Sequence, residues 1–338
     1  MNSLFPSDPS VIDGFVIEGR LGSGGFGVVY AARAEDGDRV ALKVLRPELS
    51  DDKSFRERLA REAEALSKVQ GDRTATVRDV VTDGERVYLV MDLVDGLNID
   101  QYVAERGALT GEMLWSAAEG LSQAIRDIHA VGIVHRDLKP SNIMYGPDGV
   151  KVLDFGISML ADRTSLTQTG QSMGTSGWMA PEVITGQAAT NASDVFNLGL
   201  ILFFLATGRH VFGDGPVDAI IYQTVHSRPD LADLPSGFGE LIGRCLDKDP
   251  SRRPSLAEIH GYVTSRGAVA LPAVPAFGSD TLHPSAVIDS DTDTGLLKSR
   301  RPVLAGVAIL AVAAIVGVII GVSVSNDSDP IESISPPD

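Results

Sequence analysis

Two polar runs in the middle of the chain hold the side chains best suited to chemistry. The first is HRDLKPSN at residues 135–142, and DFG at residues 154–156 begins twelve residues after Asn142. Asp137 is a carboxylate able to accept the proton of an incoming hydroxyl, and Lys139 can offset charge on a transferred phosphate. Asn142 and Asp154 offer the hard oxygen ligands that Mg²⁺ prefers. These residue types at this spacing favour phosphoryl transfer.

The two runs resemble the catalytic loop and the magnesium loop of protein kinases, and residues 139–142 (KPSN) resemble the serine/threonine branch, not the tyrosine branch. The resemblance implies that Asp137 orients the acceptor hydroxyl and that Lys139 assists it. It also implies that Asn142 and Asp154 hold Mg²⁺ or Mn²⁺ beside ATP. A lone His-Arg-Asp could instead be a buried cluster at a helix end, but that alternative does not account for the spaced Asn and DFG.

A glycine-rich segment near the amino terminus reads as the turn of a hairpin. The sequence GSGGFGVV, residues 22–29, lies between apolar alternating runs at 15–21 and 28–32. A G-x-G-x-x-G pattern also occurs in dinucleotide-binding folds, but there the third glycine opens a helix. Here a strand follows, which favours the phosphate-covering loop of kinases. Glycines let backbone N–H groups approach the phosphates closely.

The strand and helix that follow supply a lysine and its expected partner. Residues 40–43 (VALK) resemble the kinase strand whose lysine contacts the inner phosphates of the nucleotide. Apolar residues at three- and four-residue spacing predict a helix over 54–69. The resemblance matches Glu62 in this helix to the glutamate that holds Lys43, whereas Glu57 and Glu64 are interpreted as solvated charges.

Residues 92–96, after the apolar run 88–91, are predicted to form the hinge between two lobes. The resemblance makes Met91 the gatekeeper beside the adenine, a role compatible with ordinary core filling. It assigns the backbone of residues 92–94 to the adenine edge. The nucleotide-contacting set that it implies is Leu21, Gly22, Gly24, Gly25, Phe26, Gly27, Val29, Ala41, Lys43, Met91, Asp92, Val94, Asn142 and Asp154.

Residues 156–177 are polar, rich in Ser and Thr, and resemble an activation segment. The resemblance implies that Thr167 and Thr169 are autophosphorylated and that Arg136 pairs with the phosphate. The alternative is a polar flexible loop. Thr175 matches the threonine that bonds the catalytic acid and lysine, whereas Trp178 stands where the family usually has Tyr.

Three further residues are assigned supporting roles by the same resemblance. Asp194, at the start of a strongly apolar helix, matches the buried aspartate that braces the catalytic loop. Glu182, in the Ala-Pro-Glu element at 180–182, is expected to pair with Arg253.

Composition limits the partners of the chain. The 45 acidic and 29 basic residues give a net charge of −16, which disfavours nucleic acid. The single cysteine, Cys245, lies in an apolar stretch and is interpreted as a small core residue. One cysteine cannot form an internal disulfide, so the fold does not rely on oxidation.

The carboxy-terminal part changes character after residue 267. Residues 268–302 read as a disordered juxtamembrane linker, in which Thr292 and Thr294 are either phosphorylated docking sites or part of an inert acidic segment. Residues 303–324 are uncharged and apolar, and a bilayer crossing takes about 20 residues. A buried core helix is the alternative, but polar sequence flanks the run. Basic residues at 298, 300 and 301 place the catalytic part in the cytoplasm and the tail, 325–338, outside.

The sequence as a whole predicts an α+β, bilobal protein kinase fold over 1–267, with a small lobe at about 10–91 and a large lobe at 97–267, followed by one transmembrane helix. It resembles the membrane-anchored bacterial, eukaryotic-like (Hanks-type) serine/threonine kinases, in particular the actinobacterial receptor-type kinases, without their extracellular sensor domain. Expected partners are protein substrates with Ser/Thr acceptors, the membrane and a second copy in a homodimer. The alternatives are a pseudokinase scaffold and, less favoured by the Thr-rich segment, a small-molecule kinase.

Overall fold

A computed structural model describes residues 1–25, 27–69, 71–153 and 176–271 of the chain. The amino-terminal part forms an antiparallel sheet with the strand order β1-β2-β3-β4-β6-β5. Its strands are β1 (Val11–Ile12), β2 (Phe15–Gly24), β3 (Gly27–Arg33), β4 (Arg39–Leu45), β5 (Val77–Val81) and β6 (Tyr88–Asp92). Two helices, α1 (Pro47–Ser50) and α2 (Lys53–Leu66), follow β4.

Alternation along the strands gives this sheet two apolar faces. The inner face, with Ala41, Leu89 and Met91, belongs to the main core that continues into the rest of the molecule. The outer face, with Tyr30 and Leu42, forms a second cluster. Leu4 and Phe15 of the amino-terminal segment pack on the outer face.

Helix α2 has an N-cap residue, Asp52, and one buried face. The side chain of Asp52 accepts hydrogen bonds from Ser54 N at 2.8 Å and Phe55 N at 3.2 Å, which satisfies two backbone donors that a helix start leaves open. Phe55, Leu59, Ala63 and Leu66 are buried at three- and four-residue spacing. Glu62 follows Phe55 by seven residues and Leu59 by three, so it lies on the same face of α2 as this stripe.

The rest of the described chain is mainly helical. Its helices are α3 (Ile99–Arg106), α4 (Gly111–Ala130), α5 (Pro181–Ile184), α6 (Asn191–Thr207), α7 (Val217–His226), α8 (Phe238–Cys245) and α9 (Leu256–Thr264). A small antiparallel sheet joins β7 (Leu97–Asn98), β8 (Ile143–Gly146) and β9 (Gly149–Val152). Every residue of α6 from Ser193 to Leu205 is buried, so α6 is the central element of this lobe.

These two parts form the bilobal α+β arrangement that the sequence predicts. Backbone hydrogen bonds join the lobes behind the cleft, since Ala75 N donates to Val152 O at 3.0 Å and Val152 N donates to Arg73 O at 2.9 Å. None of the helices described has both the length and the apolar composition required to cross a bilayer. The predicted span at 303–324, the tail and the linker beyond residue 271 lie outside the described residues.

Candidate active site

The catalytic-loop residues predicted from the sequence meet in the structure. Lys139 Nζ lies 2.9 Å from Asp137 Oδ2 and 3.1 Å from Oδ1. The amide nitrogen of Asn142 donates to Asp137 Oδ2 at 3.1 Å and to the Asp137 carbonyl at 2.8 Å. A cation and an amide therefore hold the carboxylate from two sides. Because the Asp137 side chain is already oriented, little conformational entropy is lost when a hydroxyl binds.

Asp194 holds the start of this loop through backbone hydrogen bonds. Its Oδ2 accepts from His135 N at 2.8 Å and its Oδ1 accepts from Arg136 N at 2.9 Å. Arg136 has φ of 68°, a left-handed conformation that costs a residue with a Cβ about 1 kcal/mol. The carboxylate of Asp194, fully buried at the start of α6, stabilises that conformation and so places Asp137.

His129 is a supporting residue that the sequence analysis missed. Its Nε2 lies 2.7 Å from Asp194 Oδ2, on the same carboxylate oxygen that accepts from His135 N. The available signal was spacing, because His129 follows the buried Ile125 of α4 by four residues and so lies on the core face of that helix. A polar residue on a core face needs a partner, and Asp194 is that partner.

Backbone and side-chain bonds also fix the chain just before the second predicted metal ligand. His135 Nε2 lies 3.0 Å from Leu153 O, and Leu153 N donates to the Asn142 carbonyl at 2.8 Å. Leu153 directly precedes Asp154, and Asp154 itself lies outside the described residues. The arrangement ties the position of residue 153 to the catalytic loop.

The nucleotide side of the cleft is built by the inner face of the small-lobe sheet. Lys43 is 8% exposed, and it follows Ala41 on that face by one strand period. Lys43 pairs in register with Val29 and Leu89. Met91 is buried in the same core, as a gatekeeper position requires. Leu21 is exposed at the start of the glycine hairpin, and Val94 is half-buried in the hinge.

The glycines of the hairpin differ in whether a Cβ atom would fit at their positions. At Gly27, where φ is 156°, a Cβ would lie 2.0 Å from Val44 O, so only glycine fits. At Gly22, Gly24 and Gly25 a Cβ would meet nothing within 4 Å. Open space beside the backbone is what a loop that covers phosphate groups needs.

Glu62 is half-buried, on the same face of α2 as the buried Leu59. Its Oε2 is buried and accepts no hydrogen bond. Burial raises the pKa of Glu62, and the positive charges of Arg136 and Arg58 oppose that rise without cancelling it. The pairing of Glu62 with Lys43 stays a prediction.

The first hinge residue is fixed to strand β5. Arg78 Nε donates to Asp92 Oδ1 at 2.7 Å, Thr76 N donates to Asp92 Oδ2 at 3.2 Å, and Asp92 N donates to Thr76 O at 3.0 Å. Burial tends to raise the pKa of Asp92, but these hydrogen bonds outweigh it and hold the pKa below its usual range. The carboxylate is thus directed at β5, and the contact of the hinge backbone with the adenine stays a prediction.

A buried ion pair stabilises the segment below the cleft. Arg253 Nη1 lies 2.7 Å from Glu182 Oε1, and Arg253 Nη2 lies 2.8 Å from Oε2. Ser193 Oγ donates to Glu182 Oε1 at 2.7 Å. Burial alone would raise the pKa of Glu182, but the bonds from Arg253 and Ser193 hold it below its usual value. The structure thus brings together the two residues that the sequence analysis paired.

Trp178, the position at which the sequence departs from the family, lies against aromatic side chains. Its ring centroid is 4.5 Å from that of His210 and 5.6 Å from that of Phe204. Trp178 is 8% exposed, so it is a packed residue of the large lobe. Four other predicted site residues, Phe26, Thr167, Thr169 and Thr175, lie outside the described residues.

The described residues fit a nucleotide with a divalent cation. Asn142 donates with its amide nitrogen to Asp137, which leaves its carbonyl oxygen as the hard ligand that Mg²⁺ or Mn²⁺ accepts. The described residues contain no cluster of three or more His, Cys, Asp or Glu that could hold a metal alone. A site that shares its ligands between Asn142, Asp154 and the nucleotide phosphates is consistent with both observations.

Comparisons with known proteins agree with this geometry. Residues 15–263 match the family model described as "Protein kinase domain". The chain is 40% identical over 256 residues to "Probable serine/threonine-protein kinase PkwA" of Thermomonospora curvata, which covers 76% of this chain and 34% of that protein. It is 36% identical over 303 residues to "Serine/threonine-protein kinase AfsK" of Streptomyces coelicolor, covering 89% and 37%. It is 37% identical over 242 residues to "Serine/threonine-protein kinase PknA" of Mycobacterium tuberculosis, covering 69% and 56%. The chain thus spans about a third to just over half of the length of these curated relatives.

Proposed function

Because this chain belongs to the protein kinase family, we propose that it transfers the γ-phosphoryl group of ATP to Ser or Thr hydroxyls of protein substrates. The relatives named above are bacterial serine/threonine kinases, and the KPSN continuation of the catalytic loop is of the same branch. The observation that carries the proposal is the arrangement of Asp137 between Lys139 and Asn142, because it presents an oriented carboxylate with a cation beside it.

Each residue has a defined task in that reaction. When bound, ATP with its divalent cation supplies the electrophilic phosphoryl group. Asp137 orients the substrate hydroxyl and accepts its proton. Lys139 lowers the energy of the negative charge that develops near the acceptor, and it does so without reorganising because Asp137 already holds it. Lys43, on the inner face of the sheet, is placed to meet the inner phosphates.

The rival proposal is a pseudokinase that keeps the fold as a binding scaffold. Loss of Lys43, Asp137, Asn142 or Asp154 would favour it, but all four are present in the sequence. The geometry of Asp137, Lys139 and Asn142 also costs conformational freedom that a scaffold would have no reason to retain. The active-kinase proposal therefore accounts for more of the observations.

The test is phosphorylation of a protein substrate by the full chain with labelled ATP and Mg²⁺ or Mn²⁺. Asp137→Asn keeps the shape of the side chain and removes the base, so we expect a loss of about 10²-fold or more. Asp148→Asn makes the same change at an exposed turn between β8 and β9 and is the matched control. Equal activity in the wild type and Asp137→Asn would refute the proposal, as would a complete absence of labelling in the wild type.

We further propose that the activation segment is switched on by phosphate at Thr167 and Thr169. The support is the sequence pattern together with Arg136, whose backbone is held by Asp194 and which is exposed. Mass spectrometric mapping after incubation with ATP tests this proposal. Label at other residues only, with both threonines unmodified, would contradict it.

For the carboxy-terminal region, we propose a linker over 268–302, a membrane span over 303–324 and an outward-facing tail, with the catalytic part, 1–267, in the cytoplasm. The support is the uncharged apolar run and the basic residues on its amino side. Ser325→Cys provides a test with a membrane-impermeant maleimide on intact cells, because the native Cys245 is fully buried. Labelling only after cell lysis would refute the orientation.

A further inference from the structure

The outer face of the glycine hairpin contains a cavity that the proposed reaction does not use. It has a volume of about 490 Å³ and is lined by Arg20, Ser23, Gly24, Gly25, Gly27, Val28 and Arg46. Two of the lining side chains are arginines and one is a hydroxyl. The chain as a whole is acidic, with a net charge of −16, whereas both charged residues that line this cavity are basic.

Strand register places these side chains on the outer face. Ser23 pairs directly with Val28, and directly paired residues of antiparallel strands share a face. Val28 packs on the outer cluster, and Arg20 pairs in the same way with Tyr30 of that cluster. Arg46 follows Val44, which also packs on that cluster, by one strand period. The hydroxyl of Ser23 therefore points away from Lys43 and from the nucleotide side of the sheet.

The two arginines are positioned differently. The amino-terminal segment holds Arg20, whose Nε lies 3.2 Å from Asp8 Oδ2 and whose guanidinium carbon lies 4.5 Å from the centre of the Phe5 ring. Asp8 is itself fixed, because Tyr30 Oη donates to its Oδ1 at 2.8 Å. The structure thus sets Arg20 in place before any ligand arrives.

Arg46 is exposed, and its Nη2 donates to the Gly24 carbonyl at 3.1 Å. No carboxylate among the described residues forms an ion pair with it. A neutral carbonyl is a weaker partner for a guanidinium than a phosphate, because the phosphate adds the attraction of opposite charges and can accept two parallel N–H bonds. Arg46 thus contacts Gly24, the residue after Ser23, and a guanidinium has five N–H donors, of which this bond uses one.

We propose that Ser23 is a phosphorylation site and that its phosphate is bound by Arg46 and Arg20 on the outer face of the small-lobe sheet. The acting enzyme is a second copy of this chain, which rests on the proposed function, because the outward-facing Ser23 cannot reach the Asp137 of its own molecule. A bond forms between Ser23 Oγ and the γ-phosphorus of ATP, and the bond from that phosphorus to the β,γ-bridging oxygen breaks. ADP leaves, and the hydroxyl proton passes to Asp137 of the acting copy.

The consequence is a link between two segments that flank the nucleotide. A phosphate between Ser23 and Arg46 would connect the β2–β3 hairpin to the loop that leads from β4 into α1. Because Gly24 and Gly25 directly follow Ser23, the link would restrict the motion of the backbone that covers the nucleotide phosphates. The site would therefore regulate the hairpin without entering the nucleotide pocket.

The first experiment examines binding of the phosphate without relying on kinase activity. The full chain is produced with phosphoserine incorporated genetically at position 23, and its second pKa is followed by ³¹P NMR. We expect that pKa to lie at least about one unit below its value near 6 in the urea-unfolded chain, because two guanidinium groups favour the dianion. In the variant Arg46→Met, the pKa of the phosphoserine should move most of the way back to its value in the unfolded chain. In Arg39→Met, at the other end of β4 and outside the cavity, the pKa should stay at the value of the folded wild type. Equal pKa values in the folded and unfolded chain, or a shift indifferent to Arg46→Met, would overturn the site.

The second experiment examines the modification itself. The inactive Asp137→Asn chain serves as acceptor, the wild type as enzyme, and the label is mapped by mass spectrometry. Phosphate at Ser23, absent from an acceptor that also carries Ser23→Ala, supports the proposal. An acceptor labelled elsewhere but never at Ser23 contradicts it. If no residue is labelled, the proposed function fails and with it the role of the second copy, whereas the NMR experiment still decides the binding site.

Discussion

Arg253 and Glu182 form a bidentate ion pair, with Nη1 2.7 Å from Oε1 and Nη2 2.8 Å from Oε2. Their side chains are 0% and 5% exposed. Arg253 also donates to the carbonyls of Ala192 and Asp247. A single guanidinium therefore joins α5, the start of α6 and the loop after α8.

Replacing one partner of this pair while the other stays buried should destabilise the protein strongly. Arg253→Met leaves the carboxylate of Glu182 buried without its cation, at a cost of about 3–5 kcal/mol in the free energy of unfolding. The double variant Glu182→Gln/Arg253→Met should lose less than Arg253→Met alone. Urea unfolding measures both. Arg209→Met is the control, because its pair with Asp233 is exposed at 59% and 74%, and exposed pairs contribute less than about 1 kcal/mol.

The pair should also make stability depend on pH. The folded-state pKa of Glu182 is lowered from 4.5, so the contribution of the pair is complete above that value. It is lost as the pH falls through the lower folded pKa. The advantage of the wild type over Glu182→Gln should therefore shrink on acidification below about pH 4.5, and a constant difference down to pH 2 would contradict the assignment.

Two glycines of one hairpin should respond differently to the same substitution. Gly27→Ala places a Cβ 2.0 Å from Val44 O, so the β3–β4 register must shift, and we expect a loss of about 1–3 kcal/mol. Gly24→Ala meets nothing within 4 Å and should leave the melting temperature nearly unchanged. Thermal unfolding of the two variants without nucleotide is the measurement. Equal melting temperatures would show that the hairpin does not approach β4 as described.

Glu62 should reduce stability at neutral pH in the nucleotide-free protein. Its pKa is raised from 4.5, so the folded state disfavours the charged form and stability falls as the pH rises above that value. Glu62→Gln removes the charge and should be the more stable chain at pH 7, with the difference disappearing below about pH 4. Glu57→Gln, exposed on the same helix, is the control.

The same Glu62→Gln variant examines the predicted pairing with Lys43. If Glu62 holds Lys43 when ATP is bound, the variant combines greater stability with weaker phosphorylation of substrate. Unchanged kinase activity would remove Glu62 from the catalytic set.

Cys245 should report global unfolding. It is fully buried, and burial raises the pKa of its thiol to about 12, so very little thiolate exists at neutral pH in the folded chain. We expect no reaction with a thiol reagent in native buffer and complete reaction in urea, at a rate set by unfolding. Rapid labelling of the native chain would mean that α8 opens separately from the rest.

The sequence predicted local elements and loop chemistry well where one segment carries the whole signal. The buried stripe of α2 is an example, since its residues recur at helical spacing. The helix ends at Leu66 and not at residue 69, because Lys68 and Val69 continue as a turn in which Lys68 N donates to Ala65 O and Val69 N to Leu66 O. Such an end depends on a few tenths of a kcal/mol per residue, which a periodic pattern does not resolve.

Contacts between distant segments were harder to predict. The bond between His129 and Asp194 joins residues 65 positions apart, and nothing near His129 in sequence names its partner. The amino-terminal ten residues look polar and irregular, yet Leu4 packs on the outer cluster and Asp8 binds Arg20. The pairing of Glu62 with Lys43, which also joins distant segments, stays a prediction. Tertiary packing decides each of these contacts.

Two neighbouring residues near the start of α6, Ser193 and Asp194, hold two separate parts of the large lobe. Ser193 donates to Glu182 of α5, and Asp194 accepts from the backbone of His135 and Arg136, next to Asp137. One peptide bond thus couples the position of α5 to the position of the catalytic loop. A displacement of the start of α6 would therefore move Glu182 and Asp137 together.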